Sequence, residues 1–171
     1  EVFNDAIDNQ VAYMKEFDLR LGRVKALMNL PKNDLAQLEI SDPLGKAYSD
    51  LNLIASVKEW KPLGGNAAAL YYRGQIEERR SKFNDAVTNY RLCYLTQKRH
   101  VDYAAPAMLR AGILFEEKLG QPDAAAQIYY EMTQPKSRYK DTPSGKEAAR
   151  RALKLPYTPP ADPAPTTAAA Q

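Results

Sequence analysis

The sequence predicts an all-α protein, built as an array of packed helical hairpins with amphipathic helices before it and a capping helix after it. Glycine and proline divide the chain into segments whose apolar residues recur at the three-four spacing of an amphipathic helix. No segment shows the alternating pattern of a half-buried strand. Two segments in the middle also share one pattern of small and aromatic residues, and a repeat period of about 40 residues is typical of helical solenoids.

The composition allows one domain and argues against several kinds of function. Of the 171 residues, 44% are hydrophobic, which is enough for one substantial core. The formal net charge of +3 is too small to indicate bulk binding to nucleic acid or membranes. Cys93 is the only cysteine, so the chain has neither an internal disulfide nor a cysteine cluster for a metal.

The start of the chain lacks the features of a targeting segment. Residues 1–30 are too charged for a signal peptide, and no apolar run reaches the ~18 to 20 residues that span a bilayer. The sequence begins at Glu1 rather than at Met. We expect either a processed form, from which a signal or an upstream membrane anchor has been removed, or a trimmed fragment.

Residues 1–30 predict one amphipathic helix, which Pro31 ends. The stripe of apolar residues at three-four spacing consists of Phe3, Ile7, Met14, Phe17, Leu21, Val24 and Met28. Such a stripe fits a coiled coil that makes an oligomer, although Gly22 weakens that alternative. It fits equally well a helix that docks on its own domain or on a partner.

Residues 31–65 predict a linker and a second helix. Asn33 and Asp34 supply turn chemistry, and Ser41-Asp42-Pro43 supplies an N-cap for a helix that runs from Pro43 to Trp60. The residues expected to be buried are Leu44, Tyr48, Leu51 and Ala55. Residues 61–66 then form a loop, because a proline is followed there by two glycines.

Five further helices are predicted, at residues 67–80, 83–97, 104–119, 122–133 and 143–153. They form the helical array over residues 66–153. Residues 154–171 are rich in proline and alanine and have too little apolar content to fold by themselves. We expect an extended tail there.

The array contains two copies of one hairpin. The corresponding pairs are Gly74 with Gly112, Ala86 with Ala125, Tyr90 with Tyr129, and Cys93 with Met132. The glycine of the first helix and the alanine of the second let the two helices approach closely. The tyrosine one turn after the alanine lies on the same face and is expected to fill the space between units.

This pattern resembles the tetratricopeptide repeat (TPR) family. The most typical stretch runs from Tyr103 to Gly112 and is followed by Lys118-Leu119-Gly120 and Asp123-Ala124-Ala125. Residues 138–149 resemble the link into the capping helix of such arrays. The resemblance covers residues 66–153, with the helix over 43–60 as a degenerate half-repeat before them, and this style of repeat is common in bacterial cell-envelope proteins.

The resemblance implies a non-enzymatic scaffold or adaptor that binds other proteins or peptides. It implies a periplasmic or membrane-associated complex, with the cytoplasm as an alternative, and neither a cofactor nor a small-molecule substrate; nucleic acid is not expected. The family's inner surface is lined by the first helix of each hairpin, which places a partner-binding groove on Tyr71, Gln75, Glu78, Arg79, Leu109, Ile113 and Glu116. The alternative is a permanent structural subunit of a large assembly, whose first helix and tail are interfaces.

No group of residues indicates catalysis or a metal site. His100 is the only histidine and has no partner for catalysis near it in sequence, so we expect a surface residue. Cys93 occupies a repeat position where packing is expected. Gly64-Gly65 lacks the residues that complete a phosphate-binding loop. Tyr71 and Tyr72 are adjacent, so one is expected in the core and the other at the groove.

A basic patch is predicted near the end of the array. Its members are Lys136, Arg138, Lys140, Lys146, Arg150, Arg151 and Lys154. Only Asp141 and Glu147 oppose them, so the patch suits an acidic protein, an anionic lipid surface or nucleic acid. The alternative, which we favour, is the solvated face of a terminal helix whose Ala148, Ala149 and Ala152 turn inwards.

Overall fold

A computed structural model of the protein describes residues 2–31 and 41–159, with side chains from residue 11 onwards. The α-helices in these ranges are α1 (Val2–Asn29), α2 (Pro43–Ser56), α3 (Gly65–Arg79), α4 (Phe83–Thr96), α5 (Val101–Glu117), α6 (Pro122–Thr133) and α7 (Pro143–Ala152). A short 3-10 helix, Lys58–Trp60, lies between α2 and α3, and the described ranges contain no strand. The all-α class is confirmed. The predicted turn at Asn33 and Asp34 and the tail after residue 159 lie outside the described residues.

Each helix packs against the next one along the chain. In addition, α3 contacts α5, and α5 contacts α7, so the first helices of successive hairpins lie side by side. This packing is consistent with an α-solenoid-like array, in which each unit buries its apolar face against its neighbours. The hairpins are α1/α2, α3/α4 and α5/α6, and α7 covers the last one.

The first helix docks on its own chain. The indole Nε1 of Trp60 donates a hydrogen bond to the carbonyl oxygen of Tyr13 at 2.9 Å, and the Arg23 guanidinium binds both carboxylate oxygens of Asp50. Because Tyr13 lies beside Trp60 and Arg23 beside Asp50, α1 and α2 run antiparallel. Among the alternatives left open by the sequence, the structure shows docking on the same domain.

The buried stripe of α1 is shorter than predicted. Its buried residues are Phe17, Leu21, Val24, Leu27 and Met28. Met14 was expected in the stripe, but it is 45% exposed. The side chains of Phe3 and Ile7 lie outside the described residues.

The second helix begins as predicted and ends early. The Asp42 carboxylate accepts a hydrogen bond from the backbone N–H of Gly45 at 2.8 Å, and Pro43 occupies the first helical position. The helix ends at Ser56 because Val57 is extended. The buried residues of α2 are Ala47, Asp50, Leu51 and Ile54. Of the expected stripe, Leu51 is fully buried, whereas Leu44, Tyr48 and Ala55 are half-buried and pack at the edge of the core.

The interior consists of two apolar clusters that meet at α3. One contains the docked face of α1, α2, Trp60 and one side of α3, and the other contains the opposite side of α3 and the helices after it. Tyr72 packs against the first cluster and Tyr71 against the second, while Tyr103 contacts both. Both adjacent tyrosines are half-buried against different clusters, and the placement of one of them at a groove stays a prediction.

Gly64 allows the sharp entry into α3. Its φ is +88°, in the left-handed region that favours glycine, and α3 starts at the next residue, two residues before the predicted start. A Cβ at Gly64 would lie 3.0 Å from Nδ1 of His100. The predicted loop is therefore shorter than expected, and His100 packs against it at the start of α5.

The α3/α4 and α5/α6 hairpins share one geometry. Ser81 and Gly120 occupy equivalent turn positions and have φ values of 60° and 62°. Each tyrosine ring lies against the glycine of its own hairpin: a Cβ at Gly74 would be 2.5 Å from the Tyr90 ring, and one at Gly112 would be 2.6 Å from the Tyr129 ring. The rings thus fill the space within each hairpin rather than only the space between units. Ala86 and Ala125 are fully buried beside them.

This close approach predicts opposite effects for two glycine substitutions. Gly74→Ala is expected to lower the free energy of unfolding by about 1–3 kcal/mol, because the new methyl group overlaps the buried Tyr90 ring. Gly22→Ala, in α1, is expected to raise it by about 0.5–1 kcal/mol, because no atom lies within 4 Å of the added Cβ and alanine favours the helix. Urea denaturation of both variants checks the signs. Equal effects would contradict the close approach.

Candidate functional site

A cluster of tyrosine, glutamate and arginine recurs in the array. The Tyr90 hydroxyl donates a hydrogen bond to Glu78 at 2.7 Å, and Arg110 binds both oxygens of the same carboxylate. In the next hairpin the Tyr129 hydroxyl donates to Glu116 at 2.7 Å, and Arg151 also donates to Glu116 at 2.7 Å. Each glutamate comes from the first helix of a hairpin and each tyrosine from the second. The arginine comes from the first helix of the following unit.

The cluster fixes the protonation states of its members. Burial raises the pKa of the Tyr90 hydroxyl, and the charge of Glu78 raises it further. Burial and the hydrogen bond to Glu116 likewise raise the pKa of Tyr129. Burial alone would raise the pKa of Glu116, but the hydrogen bonds from Tyr129 and Arg151 outweigh it and hold that pKa below its ordinary value. At neutral pH both tyrosines are therefore neutral hydrogen-bond donors.

The lowered pKa of Glu116 predicts a loss of stability in acid. The contribution of this ionised carboxyl is present above pH 4.5, its ordinary value in an unfolded chain, and is lost as the pH falls through the lower folded value. Unfolding midpoints are to be measured from neutral pH downwards for the wild type, Glu116→Gln and Glu59→Gln, a control at an exposed position. We expect Glu116→Gln to flatten the fall below pH 4.5. If the midpoint of Glu116→Gln fell below pH 4.5 as steeply as those of the wild type and Glu59→Gln, the predicted contribution of Glu116 would be refuted.

Three of the predicted groove residues line one recess. Gln75, Glu78 and Arg79 of α3 and Arg110 of α5 surround a volume of about 360 Å³, which we call the α3–α5 groove. Arg79 also donates a hydrogen bond to the side-chain oxygen of Asn29 at 3.3 Å. Sequence reasoning missed Arg110. The available signal was its position beside Leu109, in the helix that supplies the second half of the predicted groove.

The other four predicted groove residues do not line this recess. Tyr71 is half-buried, with ring centroids 6.0 Å from Tyr90 and 6.1 Å from Tyr103. Leu109 and Ile113 are half-buried. Glu116 is held by Tyr129 and Arg151. The assignment of a partner-binding groove to the first helices stays a prediction.

The predicted basic patch is divided. Arg151 binds Glu116, Glu117 and Glu147, and Arg150 pairs with Glu147 at 2.7 Å. Glu116 and Glu117 of α5 lie far from Arg151 in sequence, and their ion pairs with it divide the predicted patch. Lys136, Arg138 and Lys140 precede α7, whereas Lys154 follows it; Lys146 lies in its first half. The helix has 10 residues, so the basic residues before it and Lys154 after it are about 15 Å apart.

The alternative interpretation, a solvated terminal helix, expected three alanines of α7 to face inwards, and two of them do. Ala148 is fully buried and Ala152 is half-buried, but Ala149 is exposed and its expected inward direction was wrong. The helix turns only a narrow face inwards because α5 and α6 are its neighbours and its remaining faces meet solvent. Its N-cap is Thr142, whose hydroxyl accepts a hydrogen bond from the Gly145 N–H at 3.0 Å.

The two side chains that could act as a nucleophile or a base, Cys93 and His100, are buried or half-buried. Cys93 is fully buried, and burial raises the pKa of its thiol to about 12, so it is not a thiolate nucleophile at neutral pH. His100 is half-buried at the start of α5. Within residues 2–31 and 41–159, no group of histidine, cysteine, aspartate or glutamate is arranged to hold a metal ion. None of the helices in these ranges has the length and apolar content of a membrane span.

Comparison with known proteins identifies no relative. No protein-family model, no curated protein and no solved structure matches the chain. A functional assignment therefore has to be built from the helical array and its surfaces.

Proposed function

We propose that the protein is a non-enzymatic scaffold of the TPR type, which binds an extended segment of another protein in the α3–α5 groove. The observation that carries this proposal is the recess of about 360 Å³ between the first helices of two stacked hairpins. Its volume lies in the range of about 300–1,000 Å³ in which ligand pockets are usually found. It suits a short stretch of peptide.

The side chains of the groove suit peptide recognition. The Gln75 amide both donates and accepts, so it pairs with a peptide group. The guanidinium of Arg79 is exposed and suits a partner carboxylate. The Glu78 carboxylate is already occupied by Tyr90 and Arg110, which holds the wall of the groove in place. A rigid wall lowers the entropy lost on binding.

The same groove offers no reactive pair, which supports a binding role. Its lining contains two arginines, one glutamate and one glutamine, and the glutamate is held in an ion pair. A nucleophile beside a general base is absent from this lining. The location in a bacterial cell-envelope complex is part of the proposal, and fractionation of the source cells tests it.

A photo-crosslinking amino acid at position 75 tests the groove directly. In the source cells we expect it to capture a discrete partner. The same crosslinking amino acid in place of Gln127, on the exposed side of α6, is expected to capture none. The captured segment, made as a labelled peptide, is expected to bind the purified chain. Arg79→Ala is expected to weaken that binding by about tenfold, the typical worth of one charged hydrogen bond. Equal capture at both positions would contradict the proposal.

A permanent structural subunit is the second proposed function, and the outward face of α1 favours it. Leu19 is 74% exposed, and Val11 is 42% exposed on the same face. An open hollow of about 670 Å³ lies along this face and is mostly apolar. Leu19→Lys is expected to release the chain from an assembly, or from an oligomer made through α1, without lowering its thermal midpoint. Light scattering on native complexes measures this, and unchanged assembly mass contradicts it.

A further inference from the structure

The turns that connect successive hairpins lie at one end of the array. They comprise residues 57–64, 97–100 and 134–142, and they share neighbours: one recess is lined from the first two turns and another from the last two. Arg138 of the last turn also donates a hydrogen bond to the carbonyl oxygen of Lys98 at 3.1 Å. We call this surface the basic end, because its exposed basic residues are Lys58, Lys61, Lys98, Arg99, Lys136, Arg138 and Lys140.

The positive charge of the basic end comes from its side chains. Only Glu59 and Asp141 oppose the seven basic residues within these turns, and Asp102 and Glu131 lie at its border. Among α2 to α7, three helices begin at this end and three finish there, so their dipoles oppose one another. None of the seven takes part in an ion pair among the described residues.

The opposite end differs in this respect. There Arg80 pairs with Glu77 and Arg151 with three glutamates, although Arg79, Lys82, Lys118 and Lys154 take part in no ion pair among the described residues. At the basic end, by contrast, none of the seven exposed basic residues is paired within the described part of the chain, and their summed field acts on a partner.

The basic end is concave. Its larger recess has a volume of about 670 Å³ and is lined by Lys61, Pro62, Asn66, Leu95, Thr96, Gln97, Lys98, Arg99 and His100, with no acidic side chain among them. The second recess, of about 280 Å³, shares Leu95 and Lys98 with the first. Leu95 is 51% exposed between the two. An apolar side chain is thus flanked by cations on both sides.

We propose that the basic end binds an acidic segment of a partner protein, with carboxylates at Lys61, Lys98 and Arg99 and an apolar side chain on Leu95. A bilayer surface is flat on this scale and would leave both recesses empty. Single-stranded nucleic acid needs exposed aromatic rings for stacking, whereas Tyr94 and Tyr139 of the second recess are buried. Charge and shape together favour a peptide. This inference goes beyond the α3–α5 groove and does not depend on it.

Fluorescence anisotropy with a short labelled peptide of aspartate and glutamate around one leucine tests the proposal. We expect saturable binding that weakens as salt is raised. The triple variant Lys61→Glu/Lys98→Glu/Arg99→Glu is expected to lose about tenfold or more in affinity. The matched control Lys82→Glu/Lys118→Glu/Lys154→Glu changes the net charge equally at exposed positions elsewhere and is expected to bind like the wild type.

The contribution of Leu95 has its own readout. Leu95→Ser is expected to lower the affinity for the leucine peptide several-fold. The affinity for a peptide with serine in place of leucine is expected to stay the same. Thermal midpoints of all variants are measured first, and glutamine replaces glutamate in any triple variant that does not fold. Equal losses in the two triple variants would mean attraction by net charge alone and would overturn the proposal. The proposal would also be overturned if the first triple variant bound the peptide as well as the wild type does but bound anionic vesicles or an oligonucleotide less well.

Discussion

Replacing Trp60 with alanine is expected to lower the free energy of unfolding by about 3–5 kcal/mol, the range for removing a large buried aromatic side chain. The indole is 1% exposed, and its ring centroid lies 6.0 Å from that of Phe17. Its Nε1 donates a hydrogen bond to the carbonyl oxygen of Tyr13. The substitution opens a cavity where α1, α2 and the 3-10 helix meet. Urea denaturation followed by circular dichroism measures the loss.

Two further variants separate the causes of that effect. Trp60→Phe keeps much of the apolar volume and removes the hydrogen bond, so a smaller loss is expected. Leu153→Ala, at a position 86% exposed, is expected to change the free energy of unfolding by no more than about 0.5 kcal/mol. If Trp60→Ala is as mild as Leu153→Ala, the α1/α2 hairpin does not belong to the folded core.

The second large effect is expected at Tyr129. Tyr129→Ala should lower the free energy of unfolding by about 3–5 kcal/mol, because a fully buried ring is lost beside Gly112 and the Glu116 carboxylate loses a donor. Tyr129→Phe keeps the ring and should cost only about 0.5–1.5 kcal/mol, the net worth of one hydrogen bond. Thermal and urea denaturation measure both variants.

Tyr130 provides a neighbouring control. It is half-buried, and its ring centroid lies 5.3 Å from that of Tyr157 at the start of the tail. Tyr130→Ala is expected to cost clearly less than Tyr129→Ala, because much of its surface already meets water. If the two alanine variants were equally unstable, the special role of the repeat tyrosine would be refuted.

Most helix boundaries could be predicted because their signals are local. Asp42 and Thr142 cap α2 and α7 from positions that the sequence displays directly, each followed by a proline. Glycine and proline mark the remaining breaks, and most ends of α3 to α7 lie within three residues of their predicted positions. The end of α2 was missed because Val57 and the following 3-10 turn respond to the docking of Trp60 against α1.

The polar contacts between hairpins could not be predicted in the same way. Arg110 reaches Glu78 and Arg151 reaches Glu116 only because of how one hairpin is placed on the next. Sequence spacing indicates which face a residue occupies on its own helix, and it does not give the offset between helices far apart in the chain. The same reason explains why the basic patch was drawn around α7 rather than across the three turns of the basic end.

The arginine of each cluster gives the array a direction. A hairpin provides its own tyrosine and glutamate, but the guanidinium that completes the cluster belongs to the helix made after it. During synthesis, the α3/α4 and α5/α6 hairpins therefore each lack the positive partner of their glutamate until the helix after them has been made. A chain shortened after α6 would keep Tyr129 and Glu116 without Arg151.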